Sequence, residues 1–408
     1  RFFFNPLTLR FHRSCASVWV PACRQAGQKN LFVRCSQNRH FVIQDNKKML
    51  NKILRWLKTL NYPSYVIFFV TANCNAKCKM CFYQDNMAEN RGQNELTVAE
   101  YDKISQKIKL INILGISGGE PFLRNDLAEI IKVIYKNCQP LVVDLPTNGF
   151  FTESVLKQAE DIAKNCPKMT VDLQISIDGP EEIHNEIRGL KDGFAKMKET
   201  YNGLVSLKKK YKNLKVKACV VYSHYNEDYI EELFALLERD FKDLDRVVFS
   251  VVHGSVSNAE AFQFDWNKYF AICDKIRANA KVGDIWDFHS IFTMALRIAK
   301  NDFLKKILKT KDMYKSCQAG KKVIVVGETG KVFPCEPLWQ KVGDLRSNGY
   351  DINQILNSEE MKKYNEKIIK EKCDCRWGLP MSNALLYKPQ YYPKIIFEMI
   401  KIFLRSNR

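Results

Sequence analysis

Acidic residues are almost missing from the first sixty positions, where Asp45 stands alone against twelve Lys or Arg, a local charge of about +11. The 408-residue chain carries +19 overall, so the remaining positions hold only about +8. A body that mildly basic argues against a dedicated nucleic-acid groove. Long apolar runs are missing as well. No stretch approaches the ~20 residues a membrane span needs, and Val18-Trp-Val20 and Leu31-Phe-Val33 are too short for a signal core. Glycine is sparse at 18 residues while 46% of the chain is hydrophobic, which excludes general disorder and supports a large core over two or three domains. The chain has no initiator Met, and residues 1–46 show neither helical nor strand period. They are expected to be a basic extension, disordered or foreign to the folded protein, with a leader for an anionic partner as the alternative. Cys15, Cys23 and Cys35 within them have no ligand spacing.

Fourteen cysteines could mean a disulfide framework, but that pattern belongs to short secreted domains. Seven of them fall in cluster-like groups, which points instead to a reducing compartment and a cytoplasmic enzyme. Cys74, Cys78 and Cys81 form a C-x3-C-x2-C run directly after an apolar strand, Tyr65 to Val70. Clusters used only for electron transfer usually take four cysteines, so three imply an iron left open to another ligand. Gly118-Gly-Glu-Pro121 closes the next apolar strand. Its glycines let backbone approach a ligand, and the Glu120 carboxylate can accept from an ammonium.

Together the two motifs resemble the radical S-adenosylmethionine (SAM) superfamily. The resemblance implies that Cys74, Cys78 and Cys81 hold a 4Fe-4S cluster whose open iron chelates SAM, and that Gly118, Gly119, Glu120 and Pro121 hold the SAM amino group. One electron then cleaves SAM to methionine and a 5′-deoxyadenosyl radical that takes hydrogen from an unreactive C–H bond. Met80 departs from the aromatic usual in the family at that position. Phe82 and Tyr83 are expected to pack beneath the loop.

From Tyr65 onward, six short β-rich runs alternate with longer helical patterns, the last strand ending near Val252. Apolar strands in this order predict parallel pairing with both faces covered. They resemble the partial (β/α)6 TIM-like barrel of the superfamily, in which chemistry gathers at the C-terminal strand ends. Asn148 after strand three and Asp178 after strand four precede glycines and read locally as turn residues, yet their placement above a cluster favours ligand contact. Within the family branch this resembles, the strand-four Ser and the Arg of a His-x3-Arg-Gly run lie near the SAM ribose and carboxylate, which points to Ser176 and Arg188. A guanidinium suits a carboxylate, while a surface Arg capping a loop is the alternative. Cys138, Cys166, Cys219 and Cys273 sit singly and read as buried small apolar residues. No catalytic side chain beyond these is singled out.

A second cysteine group begins at Cys317, which leads into an alternating strand, a Gly-Glu-Thr-Gly turn and a return strand ending at Cys335. Cys373 and Cys375 follow a helical run from Tyr350 to Ile369. The order resembles the SPASM or shorter twitch domain, a small α+β cysteine-rich unit carrying auxiliary iron-sulfur clusters. Four thiolates complete one cluster, or equally a tetrahedral zinc site. Leu379 stands where relatives carry a further cysteine, which leaves the ligand set open.

The resulting division is 1–46 extension, 47–63 amphipathic helix, 64–290 barrel, 291–316 helical linker, 317–387 auxiliary unit and 388–408 amphipathic helix. The helices at 49–60 and 395–404 carry basic interruptions; they either dock on the protein or lie on an anionic membrane. The expected activity is radical SAM chemistry on a peptide or protein side chain, reduced by a flavodoxin or ferredoxin. A lipid or isoprenoid substrate at a membrane surface is the alternative, and a non-catalytic iron-sulfur or zinc protein is a third reading that Gly118 to Pro121 argues against.

Overall fold

The computed structural model describes residues 55, 57–59, 62–108, 110–256, 258–280 and 288–407. The extension at 1–46 and its three cysteines lie outside the described residues, as does most of the helix expected at 49–60. Residues from Trp56 to Arg408 form one compact unit.

Its spine is a nine-stranded sheet. Strands β1 (Tyr65–Phe69), β2 (Ile113–Ser117), β3 (Val142–Thr147), β4 (Thr170–Ser176), β5 (Leu214–Tyr222) and β6 (Arg246–Val251) pair side by side in chain order, all parallel. Helices including Val98–Lys107, Leu127–Cys138, Thr152–Asn165, Gly193–Lys210 and Ile230–Asp240 connect them. The first of these starts on a capping box, Thr97 accepting from the Glu100 N–H while the Glu100 carboxylate accepts from the Thr97 N–H. Order and direction are those of a six-stranded partial barrel.

The auxiliary hairpin is built onto this sheet. Strand β7 (Val323–Val326) pairs parallel with β1, Tyr65 opposite Val323, and β8 (Lys331–Phe333) and β9 (Gly343–Asp344) continue antiparallel beyond it. All four residues of β7 are buried. The helical run expected from Tyr350 to Ile369 is two helices, Ile352–Leu356 and Glu359–Lys370, because Ser358 stops the first and caps the second by accepting the Met361 N–H at 3.2 Å.

The strands are less apolar than their sequence suggested. Strand β5 alternates buried and half-buried residues along its whole length, with Lys215, Lys217 and Cys219 on the half-buried face. Asp144 and Pro146 on β3 and Gln174 and Ser176 on β4 share that character. Alternation replaces a uniform apolar run because helices cover one face with side chains such as Leu145, Leu173 and Val216, while the other face lines the barrel interior. The same face carries the Lys217–Asp172 ion pair and the 2.6 Å bond from the Tyr65 hydroxyl to Asp144.

Helix Tyr392–Ser406 docks through Ile395, Glu398 and Ile402, and the buried Glu398 carboxylate pairs with Arg277 and Lys394. Ile396, Phe397, Ile400 and Leu404 remain exposed. Docking therefore accounts for one face of this helix and leaves a second apolar face uncovered. No helix among the described residues is long and apolar enough to cross a membrane.

Candidate functional site

A cavity of about 240 Å³ opens at the C-terminal ends of the strands, and the expected residues meet in it. Cys74, Cys78 and Cys81 line it together with Gly118, Gly119, Glu120, Pro121, Asn148, Ser176 and Arg188. Asp178 lies behind Arg188, fully buried, its carboxylate paired to the guanidinium with an Nε–Oδ2 distance of 2.6 Å.

The loop after β1 is zipped to the loop after β2. Gly119 N–H donates to the Thr71 carbonyl and Glu120 N–H to the Asn73 carbonyl, both at 2.8 Å. A Cβ on Gly118, whose φ is +125°, would sit 2.4 Å from the Thr71 oxygen, and one on Gly119 would sit 2.1 Å from the Asn73 oxygen. The two glycines are thus required by the approach of the cysteine loop, and both also line the cavity.

Glu120 is likewise occupied by its own chain. One carboxylate oxygen accepts the Asn148 N–H at 2.7 Å, and the other accepts the Thr147 hydroxyl at 2.9 Å and the Phe122 N–H at 3.2 Å. Burial pushes its pKa up to about 7, against these bonds, which pull it down. Each carboxylate oxygen has two lone pairs, so Glu120 braces the β3 loop and keeps acceptor capacity toward the cavity. Asn148 extends the brace, its amide donating to Asn75 of the cysteine loop at 2.8 Å.

Helix Glu181–Arg188 clamps the other side of that loop. Lys77 N–H donates to the Arg188 carbonyl at 3.1 Å and Lys79 N–H to the Ile187 carbonyl at 2.9 Å. Arg188 itself reaches Cys78 Sγ at 3.7 Å. Its partner Asp178 is held in turn by the Val221 N–H at 3.0 Å, and its backbone N–H donates to His184 Nδ1 at 3.3 Å. Burial, followed by the nearby Arg188 charge, drops the His184 pKa to about 4, so the imidazole stays neutral and accepts at that nitrogen. The His-x3-Arg spacing places the two side chains one turn apart on this helix.

None of the seven expected cysteine ligands is joined in a disulfide. Burial, first among the causes, pushes Cys74 up to about 12 and Cys81 up to about 11. Against that, Cys74 Sγ accepts the Ala76 N–H at 3.4 Å and Cys81 Sγ the Tyr83 N–H at 3.4 Å. Cys317 and Cys375 repeat the arrangement with Ala319 at 3.5 Å and Trp377 at 3.3 Å. Cys335 Sγ accepts the Tyr364 hydroxyl at 3.2 Å. Thiols buried beside donors aimed at sulfur fit iron-sulfur ligation, in which such bonds stabilise the liganded thiolate. The four later cysteines are mutual electrostatic neighbours, Cys375 feeling Cys317, Cys335 and Cys373, so helix Glu359–Lys370 does bring the hairpin and the Cys373 loop together.

Phe82 and Tyr83 pack as expected. Tyr83 lies 4.4 Å from Phe69 between ring centres and donates its hydroxyl to Glu328 in the hairpin turn, which joins the cysteine loop to the auxiliary unit.

Deeper in the barrel, a second cavity of about 350 Å³ shares Ser117, Pro146, Cys219 and His253 with the first. Asp144, Gln174, Lys300, Glu336 and Arg376 also line it, as does Leu379, the position where a further cysteine was expected. Cys138, Cys166 and Cys273 are buried as read from sequence, but Cys219 is not an inert filler: its place on the inward face of β5 puts it in the wall between the cavities. His253, Lys300 and Glu336 escaped sequence reading because they lie on separate segments without motif spacing. The alternating polar positions of β3 to β5 were the available signal.

The radical SAM superfamily profile matches residues 68–237, and the SPASM iron-sulfur cluster-binding domain matches 317–376. The chain is 27% identical over 323 residues to the AdoMet-dependent heme synthase of Methanosarcina barkeri, covering 77% of this chain and 88% of that protein. It is 30% identical over 155 residues to the PqqA peptide cyclase of Bradyrhizobium diazoefficiens, covering 37% of this chain and 38% of that one. Streptococcus suis SuiB, solved with bound S-adenosylmethionine, shares the fold at a TM-score of 0.53 and 15% identity, over 80% of this chain and 73% of that one. The protein is therefore an enzyme of the radical SAM superfamily with a C-terminal SPASM domain, and its cofactors are SAM, a 4Fe-4S cluster and auxiliary iron-sulfur.

Proposed function

We propose that Cys74, Cys78 and Cys81 hold the SAM-binding cluster, and that Gly118 to Pro121, Asn148, Ser176 and the Asp178–Arg188 pair form the SAM site. The observation that carries this is the single cavity lined by the three cysteines, the Gly118–Pro121 loop and Arg188. SAM bound there supplies, on one-electron reduction, the radical that takes hydrogen from substrate. The chain's own residues do the rest. Arg188 presents positive charge beside Cys78, and Asp178 holds that guanidinium in one rotamer. Glu120 fixes the β3 loop and offers its remaining lone pair to an ammonium. Ser176 stands at the β4 end and lines the cavity.

In this reading Cys317, Cys335, Cys373 and Cys375 hold the auxiliary cluster, with 64–290 as the barrel and 317–387 as the cluster-bearing unit attached to its β1 edge. The substrate enters the second cavity, whose volume is at the scale of one side chain or a small molecule. A peptide or protein side chain is the substrate class we favour, supported by the match to a peptide cyclase over 155 residues. The uncovered face of helix Tyr392–Ser406 keeps a lipid substrate at a membrane surface as the second reading. The electron donor is a flavodoxin- or ferredoxin-type protein.

The test is 5′-deoxyadenosine formation by anaerobically reconstituted protein given SAM and dithionite. Wild type is expected to form it and the Cys74→Ala, Cys78→Ala, Cys81→Ala triple variant is not. Equal yields from the two proteins would remove the assignment. Co-sedimentation with anionic liposomes separates the membrane reading from the peptide one.

A further inference from the structure

The second cavity contains a charge arrangement that the radical machinery does not use. Lys300 projects half-buried from helix Phe288–Thr310 into its wall and makes no hydrogen bond or ion pair among the described residues. Burial, and after it the charge of Arg297, lowers its pKa to about 8, so the ammonium form is held there at a cost. Arg297 is committed elsewhere, to the Val247 carbonyl. Arg376, on the same cavity, stacks over the Trp266 ring at 5.4 Å and has no carboxylate partner among the described residues.

The two carboxylates of the cavity do not neutralise these cations. Asp144 is engaged by the Tyr65 hydroxyl at 2.6 Å and the Gln174 amide at 3.1 Å, and its pKa is raised by burial and then by Asp172. Glu336 faces His253, Oε2 to Nε2 at 3.7 Å, at the wall shared with the first cavity. That imidazole nitrogen is buried and has no hydrogen-bond partner. A buried cation without a partner is costly unless an anion arrives to meet it. Lys300 and Arg376 are half-buried and without a carboxylate partner among the described residues, and two such cations bordering one cavity, beside the site of radical generation, describe a receptor for an anion.

We propose that the second cavity binds substrate through a carboxylate held between Lys300 and Arg376. The rest of the molecule then extends toward the wall of Ser117, Pro146, Cys219 and His253, where its C–H bond faces the first cavity. The proposal rests on the radical SAM reading and narrows its substrate to a carboxylate-bearing side chain or small molecule. Lys300 and Arg376 are substrate-binding residues in it, and Asp144, held by Tyr65 and Gln174, pairs with neither of them.

The probe is para-fluorobenzoate, with uncharged para-fluorobenzamide as its isosteric control, titrated by fluorine NMR into reconstituted full-length protein with SAM present. Wild type is expected to bind the carboxylate ten- to hundredfold more tightly than the amide, the span of one charge-assisted bond. Lys300→Met should erase that preference and Lys300→Arg should keep most of it. Equal binding of both probes to wild type overturns the proposal without any variant. So does a preference that survives Lys300→Met in protein retaining its cluster absorbance, since this would place the anion on another basic surface. Deoxyadenosine formation by the same wild-type preparation separates the two readings. Its absence would sink the radical assignment, whereas its presence without carboxylate preference would sink only the anion site.

Discussion

The two cysteine sites are built from the same ligand chemistry and differ in how they are assembled. The first is one loop of eight residues, Cys74 to Cys81, bordering a cavity; its supports are backbone bonds from neighbouring loops and the end of helix Glu181–Arg188. The second draws Cys317, Cys335, Cys373 and Cys375 from a hairpin, a return strand and a loop beyond helix Glu359–Lys370. None of those four lines either of the two cavities; Cys335 is buried under the Tyr364 hydroxyl, and Cys317, Cys373 and Cys375 are half-buried. One set borders a cavity and is presented to a ligand; the other borders neither cavity and is packed between elements of the fold. A presented site should lose chemistry before stability when damaged, and a packed one should lose both together.

The largest expected contrast follows from removing each set. The Cys74, Cys78, Cys81 triple Ala variant should lose deoxyadenosine formation and about four irons per chain, yet keep a cooperative melt and its auxiliary iron. Replacing Cys317, Cys335, Cys373 and Cys375 by Ala should cost metal and melting temperature alike. Iron analysis with calorimetry on both proteins checks this, and equal destabilisation would erase the distinction between presented and packed.

Arg188→Met should be next in size. It leaves the fully buried Asp178 carboxylate without its cation, a loss of roughly 3–5 kcal/mol for a broken buried pair. Adding Asp178→Asn should recover part of that stability without restoring SAM binding, which denaturation and titration calorimetry would read separately. Recovery of both would show that Arg188 serves the fold alone.

Glu120→Gln tests the presented site more gently. It removes the negative acceptor, worth roughly 1.5–3 kcal/mol to an ammonium, so SAM affinity should fall by about one to two decades. Gln keeps one carbonyl acceptor, but its NH2 then faces a buried donor that has lost its partner, so stability should also fall by about 1–3 kcal/mol. Unchanged SAM affinity would mean that bracing the β3 loop is the whole of its role.

The smallest effect belongs to Tyr364→Phe at the packed site. It deletes one donor to Cys335 Sγ, about 0.5–1.5 kcal/mol. A hydrogen bond to sulfur favours the more negative, reduced cluster, so its loss should lower the auxiliary potential by tens of millivolts, on the order of that energy per electron. Redox titration followed by EPR in the triple Cys variant measures it in isolation. A rise in potential would contradict this account of the bond.

Much of the presented site was readable because its parts are local. Cys74, Cys78 and Cys81 are close in sequence, and Gly118 to Pro121 and Arg188 follow strand ends whose parallel order brings them to one rim. Reading failed where partners come from distant elements. That Gly118 and Gly119 also meet the carbonyls of Thr71 and Asn73 is not visible in the sequence, because the contact lies across two loops that spacing does not connect. Cys219 read as core because strand period alone does not say which face looks into the barrel.

What the sequence by itself determined is the alternation of strand and helix, the cysteine triplet and its glycine-rich companion, and the hairpin that spaces Cys317 from Cys335. Each depends on a few adjacent residues, where turn chemistry and periodicity act directly. Tertiary structure alone decided that β7 would add to the barrel at β1, that the Asp178–Arg188 pair would close behind Cys78, and that Lys300, Glu336 and Arg376 would share one cavity. Those outcomes come from burying apolar faces of elements far apart in the chain, and the charged groups carried on the opposite faces meet only as a consequence.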